Sequence, residues 1–201
     1  MNDIKLLLPY LKSPESDQDL TWEEGTGTFH DRLTGRNYGT VDEIPVLLPE
    51  KEKQGLQVPE IIRRYHSVFS YLDHYQKDAE IFDYLDPGLN KSNTYEQFRL
   101  HQTIIRHIPE QAAFILDVGC GNGWLAGHVK STGKKICSLD VSTVNPANAI
   151  RNHSFQGHAA MVADVYHLPF RENTFDCIVA SEIMEHTPDP AAFMQALIRV
   201  L

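Results

Sequence analysis

The sequence predicts an α/β chain built round a doubly wound parallel sheet, with a small β unit and a helical cap ahead of it. Three observations carry that reading. Ile115 to Ala126, ILDVGCGNGWLA, joins a short apolar run to glycines at alternate positions and then to a helix-like continuation. Two further apolar runs, Lys135 to Leu139 and Ala159 to Ala163, are each followed at once by an acid, Asp140 and Asp164. Between these runs lie helix-length segments, the alternation that a parallel sheet requires. The expected organisation is a β unit over 1–50, a linker and cap over 51–108, and the sheet over 109–201.

Composition narrows the class. At 201 residues, 42% hydrophobic and 22% charged, the chain can bury a sizeable core. A net charge of −9 and the lack of a dense Lys/Arg block argue against nucleic-acid binding by phosphate neutralisation. Cys120, Cys137 and Cys177 form no Cys-x-x-Cys pair, which indicates neither a disulfide framework nor a zinc knuckle and suits a reducing cytoplasm. The apolar run near Met1 is only three leucines before Pro9, too short for a signal or a membrane span.

In chain order, Ile4 to Leu8, Leu20 to Glu23, Gly27 to His30 and Val46 to Leu48 read as short strands separated by turn-forming residues. The pattern LLLPYLKSP, then GTFHDRLTGRNYGTVDEIPVLLPE, resembles the small zinc-ribbon domain that precedes some methyltransferases and also occurs as a free activator of tRNA methyltransferases. Tyr38, Asp42 and Ile44 to Pro49 match that family's signature, but its metal positions correspond to Leu8, Leu11, His30 and Leu33. One imidazole without thiolates cannot make a structural zinc site, so a metal-free relic packed by leucines is expected.

Lys51 to Gly55 reads as a linker. Ile61, Ile62, Tyr65, Val68, Phe69 and Leu72 recur at three- and four-residue steps after Pro59, predicting a helix toward Tyr75. A second helix is expected over Ala79 to Leu85, and a third from about Thr94 to His107, with Pro109 ending it. They read as a cap packed on the sheet or as a lid over a substrate.

Phe114, Ile115, Leu116 and Val118 predict a strand buried on both faces, with Asp117 its one acid. Gly119, Gly121 and Gly123 permit positive φ and a close approach of ligand to backbone where strand turns to helix. Leu125 to Ser131 continues as helix, Lys135 to Leu139 is the second strand, and a short helix runs from Pro146 to about Asn152. Ala159 to Ala163 is the third strand, Phe175 to Ala180 the fourth, and Pro190 to Leu201 a helix. Asp117, Asp140 and Asp164 thus fall along the sheet edge where open α/β folds bind ligands.

LDVGCGNG, SLDVS and ADVYHLPFRENTFDCIVASEIMEH, read together, resemble the successive motifs of class I S-adenosylmethionine-dependent methyltransferases of the type 11 subgroup, over roughly Thr94 to Leu201. The resemblance implies a Rossmann-like methyltransferase sheet with S-adenosyl-L-methionine as cofactor. It implies that Gly119, Gly121 and Gly123 wrap the methionine portion and that Asp117 orients its ammonium group. Asp140 would hold the ribose hydroxyls, Asp164 the adenine amino group and the Val165 backbone the ring edge. Leu168, Pro169 and Phe170 match the family's Leu-Pro-Phe turn, and Ser181 and Glu182 would face the sulfonium. Cys120 and Val141, inside the same motifs, complete the cofactor-binding set. The cofactor has an ammonium, a sulfonium and an adenine donor but no phosphate, so carboxylates are suitable neighbours.

Gly121-x-Gly123-x-x-Ala126 also satisfies a dinucleotide pattern, with Asp140 suited to an NAD ribose. Pyrophosphate, however, is repelled by acids, and two flank this loop. Methyl transfer from a sulfonium needs positioning and desolvation, and a base only where the nucleophile begins protonated. His186 is the candidate base. Glu182-x-x-Glu185-His186 matches a metal-ligand spacing found in some methyltransferases and is left unassigned, so no metal is expected. The expected acceptor is a small or lipid-like molecule. RNA methylation and a non-catalytic cofactor-binding scaffold are the alternatives. The family continues beyond this helix with Lys-Pro-Gly-Gly and three more strands, so four of seven strands are expected here, from a fragment or a shortened member.

Overall fold

The computed structural model describes residues 1–49 and 92–201. The linker over 51–55 and the helices expected over 59–75 and 79–85 lie outside the described residues. Met1–Pro49 and Gln111–Leu201 form one compact unit. Of the other, the described part is helix α1, Ser92–His107, where the third cap helix is expected. Its last turn carries Arg106, a cation suited to a helix C-terminus, and the Nδ1 of His107 lies 2.8 Å from the carbonyl of Thr103.

The larger unit begins with an antiparallel sheet, β1 (Leu20–Glu23), β2 (Thr28–Asp31) and β3 (Arg36–Tyr38), in that order. Then come β4 (Thr40–Val41) and β5 (Ile44–Leu47). The doubly wound part follows: β6 (Phe114–Val118), α2 (Trp124–Val129), β7 (Lys135–Asp140), α3 (Val144–His153), β8 (His158–Ala163), β9 (Cys177–Ala180) and α4 (Pro190–Val200). The main sheet has the order β4-β5-β8-β7-β6-β9, parallel throughout except for β4. The winding reverses between β6 and β9, which places a topological switch point beside the glycine loop.

Burial follows the two-residue period of a strand. On β8, Ala159, Met161 and Ala163 join one core cluster, whereas Ala160 and Val162 join another with Ile44, Leu48 and the α3 residues Ala147 and Ile150. The first cluster unites Leu7, Leu11, Phe29 and Tyr38 with Leu116, Phe170, Phe175 and the α4 residues Phe193 and Leu197. The amino-terminal residues therefore pack on the sheet in the same core as α4. β5 extends the sheet itself, with Val46 opposite Val162 and Leu47 opposite Ala163.

Ile4 to Leu8 is not the expected strand. Ile4–Leu6 and Leu8–Tyr10 are single 3-10 turns, closed by Leu6 N–H to Asp3 O and Leu7 N–H to Ile4 O. Pro9 has no N–H for a ladder and a φ suited to a helical turn. Asn2 instead plays the strand's part: its amide exchanges two hydrogen bonds with Ala160, at 2.9 and 3.0 Å.

The four supposed metal positions do not form a leucine cluster. Leu11 is buried and Leu8 half-buried, but Leu33 is 70% exposed, and His30 bonds Asn37 and Glu23. The turn after β2 is organised by Asp31, whose Oδ1 accepts from Leu33 N (2.9 Å) and Thr34 N (3.1 Å), and whose Oδ2 accepts from Ser16 Oγ (2.7 Å). Burial alone would push the Asp31 carboxyl up; the donors of Ser13, Ser16 and Thr34 outweigh it and hold the group well below the usual carboxylate range.

Candidate functional site

The site is built where β6 ends. Gly119 and Cys120 donate their N–H groups to Leu139 O at 2.8 and 3.1 Å, so the chain leaves β6 by leaning on β7. Gly119, Gly121 and Gly123 all adopt positive φ, at 73°, 52° and 87°. Each glycine has a different neighbour. A Cβ on Gly119 would lie 2.7 Å from Ile183 Cδ1, and one on Gly123 would lie 2.7 Å from the Ala149 backbone. A Cβ on Gly121 would meet nothing within 4 Å, so this residue faces open space. Cys120, expected in the cofactor set, turns its side chain into the core, with its Sγ 3.7 Å from Gly121 O. Burial, then the charges of Asp140 and Asp117, push its thiol well up, which makes it a packing residue with a backbone contribution.

The three carboxylates are treated differently by their surroundings. Asp117 is buried in β6, between Ser138 on β7 and Val179 on β9, and its Oδ2 has no hydrogen-bond partner among the described residues. Burial, and then the negative charge of Asp140, raise its carboxyl to about 7. A buried acid with an unsatisfied oxygen is expensive unless a donor arrives, and a cation is the strongest such donor.

Asp140 closes β7. Its Oδ1 accepts from Ser142 N at 2.8 Å and its Oδ2 from Asn145 Nδ2 at 2.9 Å. Burial raises this carboxyl, and the Ser142 and Asn145 donors oppose the rise, with smaller help from the backbone of Gly121 and Val141. Asp164, just past β8, caps the 3-10 turn Val165–His167, accepting from Tyr166 N at 3.1 Å and lying 2.8 Å from His167 Nδ1. Sequence reasoning found the three acids but missed Asn145, His167 and Tyr166. The available signal was a polar residue within five positions of each strand-end acid.

Leu168 and Phe170 are buried, and the turn they share is pinned by Arg199 on α4, which donates to the carbonyls of both at 2.8 Å. The Tyr166 hydroxyl lies 3.2 Å from both the N and the O of Asp189, the residue that caps α4 through Ala191 N and Ala192 N. That contact ties the Asp164 turn to the segment after β9. In that segment Ser181 is half-buried, Glu182 has a φ of 54°, and the Ile183 side chain covers Gly119. His186 closes an exposed 3-10 turn, its Nε2 3.9 Å from Glu185 Oε1. Among the described residues, no three His, Cys, Asp or Glu side chains converge as a metal site.

A doubly wound sheet with a glycine loop at its switch point, and an acid in or just past each of β6, β7 and β8, defines a Rossmann-like α/β fold with a small antiparallel sheet at its amino-terminal end. Residues 116–201 match the family model described as methyltransferase domain. The chain is 33% identical over 111 residues to the biotin biosynthesis bifunctional protein BioHC of Saccharophagus degradans, covering 52% of this chain and 19% of that protein. It is 31% identical over 93 residues to the ubiquinone biosynthesis O-methyltransferase of Psychrobacter cryohalolentis, covering 43% of this chain and 36% of the relative. An S-adenosylmethionine dependent methyltransferase from Mesorhizobium loti is similar in structure, with a TM-score of 0.46, 23% identity and coverage of 52% of this chain and 48% of the other. The chain thus spans well under two thirds of these curated relatives. The match and the relatives make residues 116–201 similar to methyltransferase domains.

Proposed function

We propose that this chain is an S-adenosylmethionine-dependent methyltransferase acting on a small-molecule or lipid-like acceptor. The observation that carries the proposal is the unpartnered Asp117 oxygen, buried next to the turn in which Gly121 faces open space. The residues present fit the cofactor's donors: Asp117 for the ammonium, Asp140 for the ribose hydroxyls, Asp164 with the Val165 N–H for the adenine edge, and the Gly119–Gly123 backbone for the methionine chain. S-adenosylmethionine would supply a methyl group already activated on a sulfonium.

What the chain adds is binding, orientation and exclusion of water. Ile183 covers Gly119 and shields that side of the loop. His186 is the proposed base for an acceptor that begins protonated; its exposure leaves it able to pass a proton to solvent. Among the described residues no helix is long and apolar enough to cross a membrane. Three free thiols, two of them buried, fit the reducing cytoplasm proposed for the protein.

Calorimetric titration with S-adenosylhomocysteine and with NAD, on the natural chain and an Asp140→Ala variant, tests the reading. Micromolar binding of the first ligand, no heat from NAD and at least tenfold weakening in the variant are expected, since a bidentate charged acceptor is lost. Heat from NAD alone would turn the site over to a dinucleotide. Binding without transfer to any acceptor would favour the scaffold.

A further inference from the structure

The Asp140 carboxylate is held from both sides by the turn into α3 and by the first turn of that helix. Ser142 N–H reaches Oδ1 at 2.8 Å, and the Asn145 side-chain amide reaches Oδ2 at 2.9 Å. We propose that Asn145 is a positioning residue for ribose recognition: by fixing Asp140 Oδ2 it sets the carboxylate plane so that both oxygens face the two hydroxyls of the sugar together. The inference deepens the S-adenosylmethionine reading of the site and rests on it.

A lone carboxylate lacks a fixed plane. A free carboxylate rotates about its terminal torsion, whose well is broad, and meets a cis-diol in its bidentate orientation only part of the time. One donor on each oxygen removes that freedom, and each oxygen keeps lone-pair capacity for a hydroxyl. The backbone of Gly121 and Val141 gives the carboxylate smaller help, and the backbone of α3 itself offers it little. Val144 N–H bonds Ser142 Oγ at 3.2 Å, and Pro146 has no N–H. The second residue of α3 therefore adds a side-chain donor, at Oδ2, to those of the backbone.

The type of donor matters too. The ionisable groups that face Asp140 are Asp117 on β6 and the buried Cys120 thiol in the loop, and neither brings a positive charge. A neutral amide fixes the carboxylate without neutralising it, so the charge remains available to the hydroxyls. A lysine or arginine here would compete with the ligand.

Calorimetry at pH 8 on the full chain, with S-adenosylhomocysteine and its 2′-deoxy analogue, tests the proposal. The natural protein is expected to prefer the ribose ligand by about tenfold. Asn145→Leu is expected to weaken the ribose ligand about tenfold while narrowing the gap to the deoxy analogue to about twofold. Asn145→Asp keeps the shape but sets a second carboxylate against Oδ2, and its loss should be at least as large. Its melting temperature should fall, because repulsion between the two carboxylates outweighs the gain from an acid in the first helical turn, and an unchanged circular dichroism spectrum would show that the fold is kept. Equal weakening of both ligands by Asn145→Leu, or ribose-ligand binding within twofold of the natural chain in both variants, overturns the positioning role and leaves the cofactor reading standing. Failure of the natural chain to bind either ligand overturns that reading and this inference with it.

Discussion

Asp117 sits where a carboxylate is least comfortable, and in the proposed function that discomfort makes it a sensor of the cofactor. Its folded-state carboxyl is raised to about 7 by burial and by Asp140, from an ordinary value of 3.8. For a group raised on folding, the stability it contributes is fully present below pH 3.8 and is lost as pH rises through 7. Asp117→Asn is therefore expected to stabilise the ligand-free protein at pH 8, by on the order of 2 kcal/mol, while S-adenosylhomocysteine binding falls at least a hundredfold. Ammonium binding requires the ionised acid, so affinity in the natural protein should rise between pH 6 and 8, with proton release below pH 7; a flat profile across that range would refute the assignment.

The neighbouring glycines permit a sharper comparison. Gly123→Ala drives a Cβ into the Ala149 backbone and should destabilise by about 3 kcal/mol in thermal unfolding. Gly121→Ala meets only the conformational penalty, about 1 kcal/mol, yet should abolish ligand binding because its Cβ enters the open side of the loop. The glycine spacing and the three acids were legible in the sequence because they lie within single short motifs. Asn145, His167 and Tyr166 were not, because polar residues at those offsets are equally at home in solvent.

Elements were legible wherever one period dominated. β6 and β8 read correctly because all their residues are buried, and a continuous apolar run bounded by turns leaves little choice. Ile4 to Leu8 misled because its leucines anchor 3-10 turns, and apolar content alone does not separate the two. β8 also hides a polar staple. His158 is fully buried, its Nδ1 2.9 Å from His153 O at the end of α3 and its Nε2 3.0 Å from Ser138 Oγ on β7. The carbonyl requires the proton on Nδ1, so Nε2 accepts from the serine.

Burial lowers this imidazole to about 4, from 6.5. A base depressed on folding contributes stability that is present above pH 6.5 and is lost as pH falls toward 4. Denaturant unfolding should accordingly lose on the order of 2 kcal/mol between pH 7 and 4.5. A His158→Gln variant should be less stable at pH 7 but flatter over that range. An unchanged slope in the variant would assign the acid sensitivity elsewhere.

At the scale of the molecule, the separation between the first fifty residues and the sheet, natural when reading the sequence, is bridged by a single core. Sequence periodicity marks strands but not which strand another will choose, and the pairing of Val46 and Leu47 with Val162 and Ala163 is a long-range choice. Leu7, Leu11, Phe29 and Tyr38 pack in the same cluster as Leu116, Met161 and Phe193. Gly157 N–H and His158 O are also bonded by Asp3. Contacts so shared make the two segments one cooperative unit. Leu7→Ala, at a fully buried position, should cost about 3 kcal/mol. Native-state hydrogen exchange should then show the amides of β2 and of β8 losing protection by the same amount, although only one segment carries the change. Loss confined to β2 would mean that the amino-terminal unit opens by itself and that the sheet stands without it. Equal loss would mean that the proposed cofactor site, whose β7 and β8 strands carry Asp140 and lead into Asp164, depends for its rigidity on residues more than a hundred positions away in the chain.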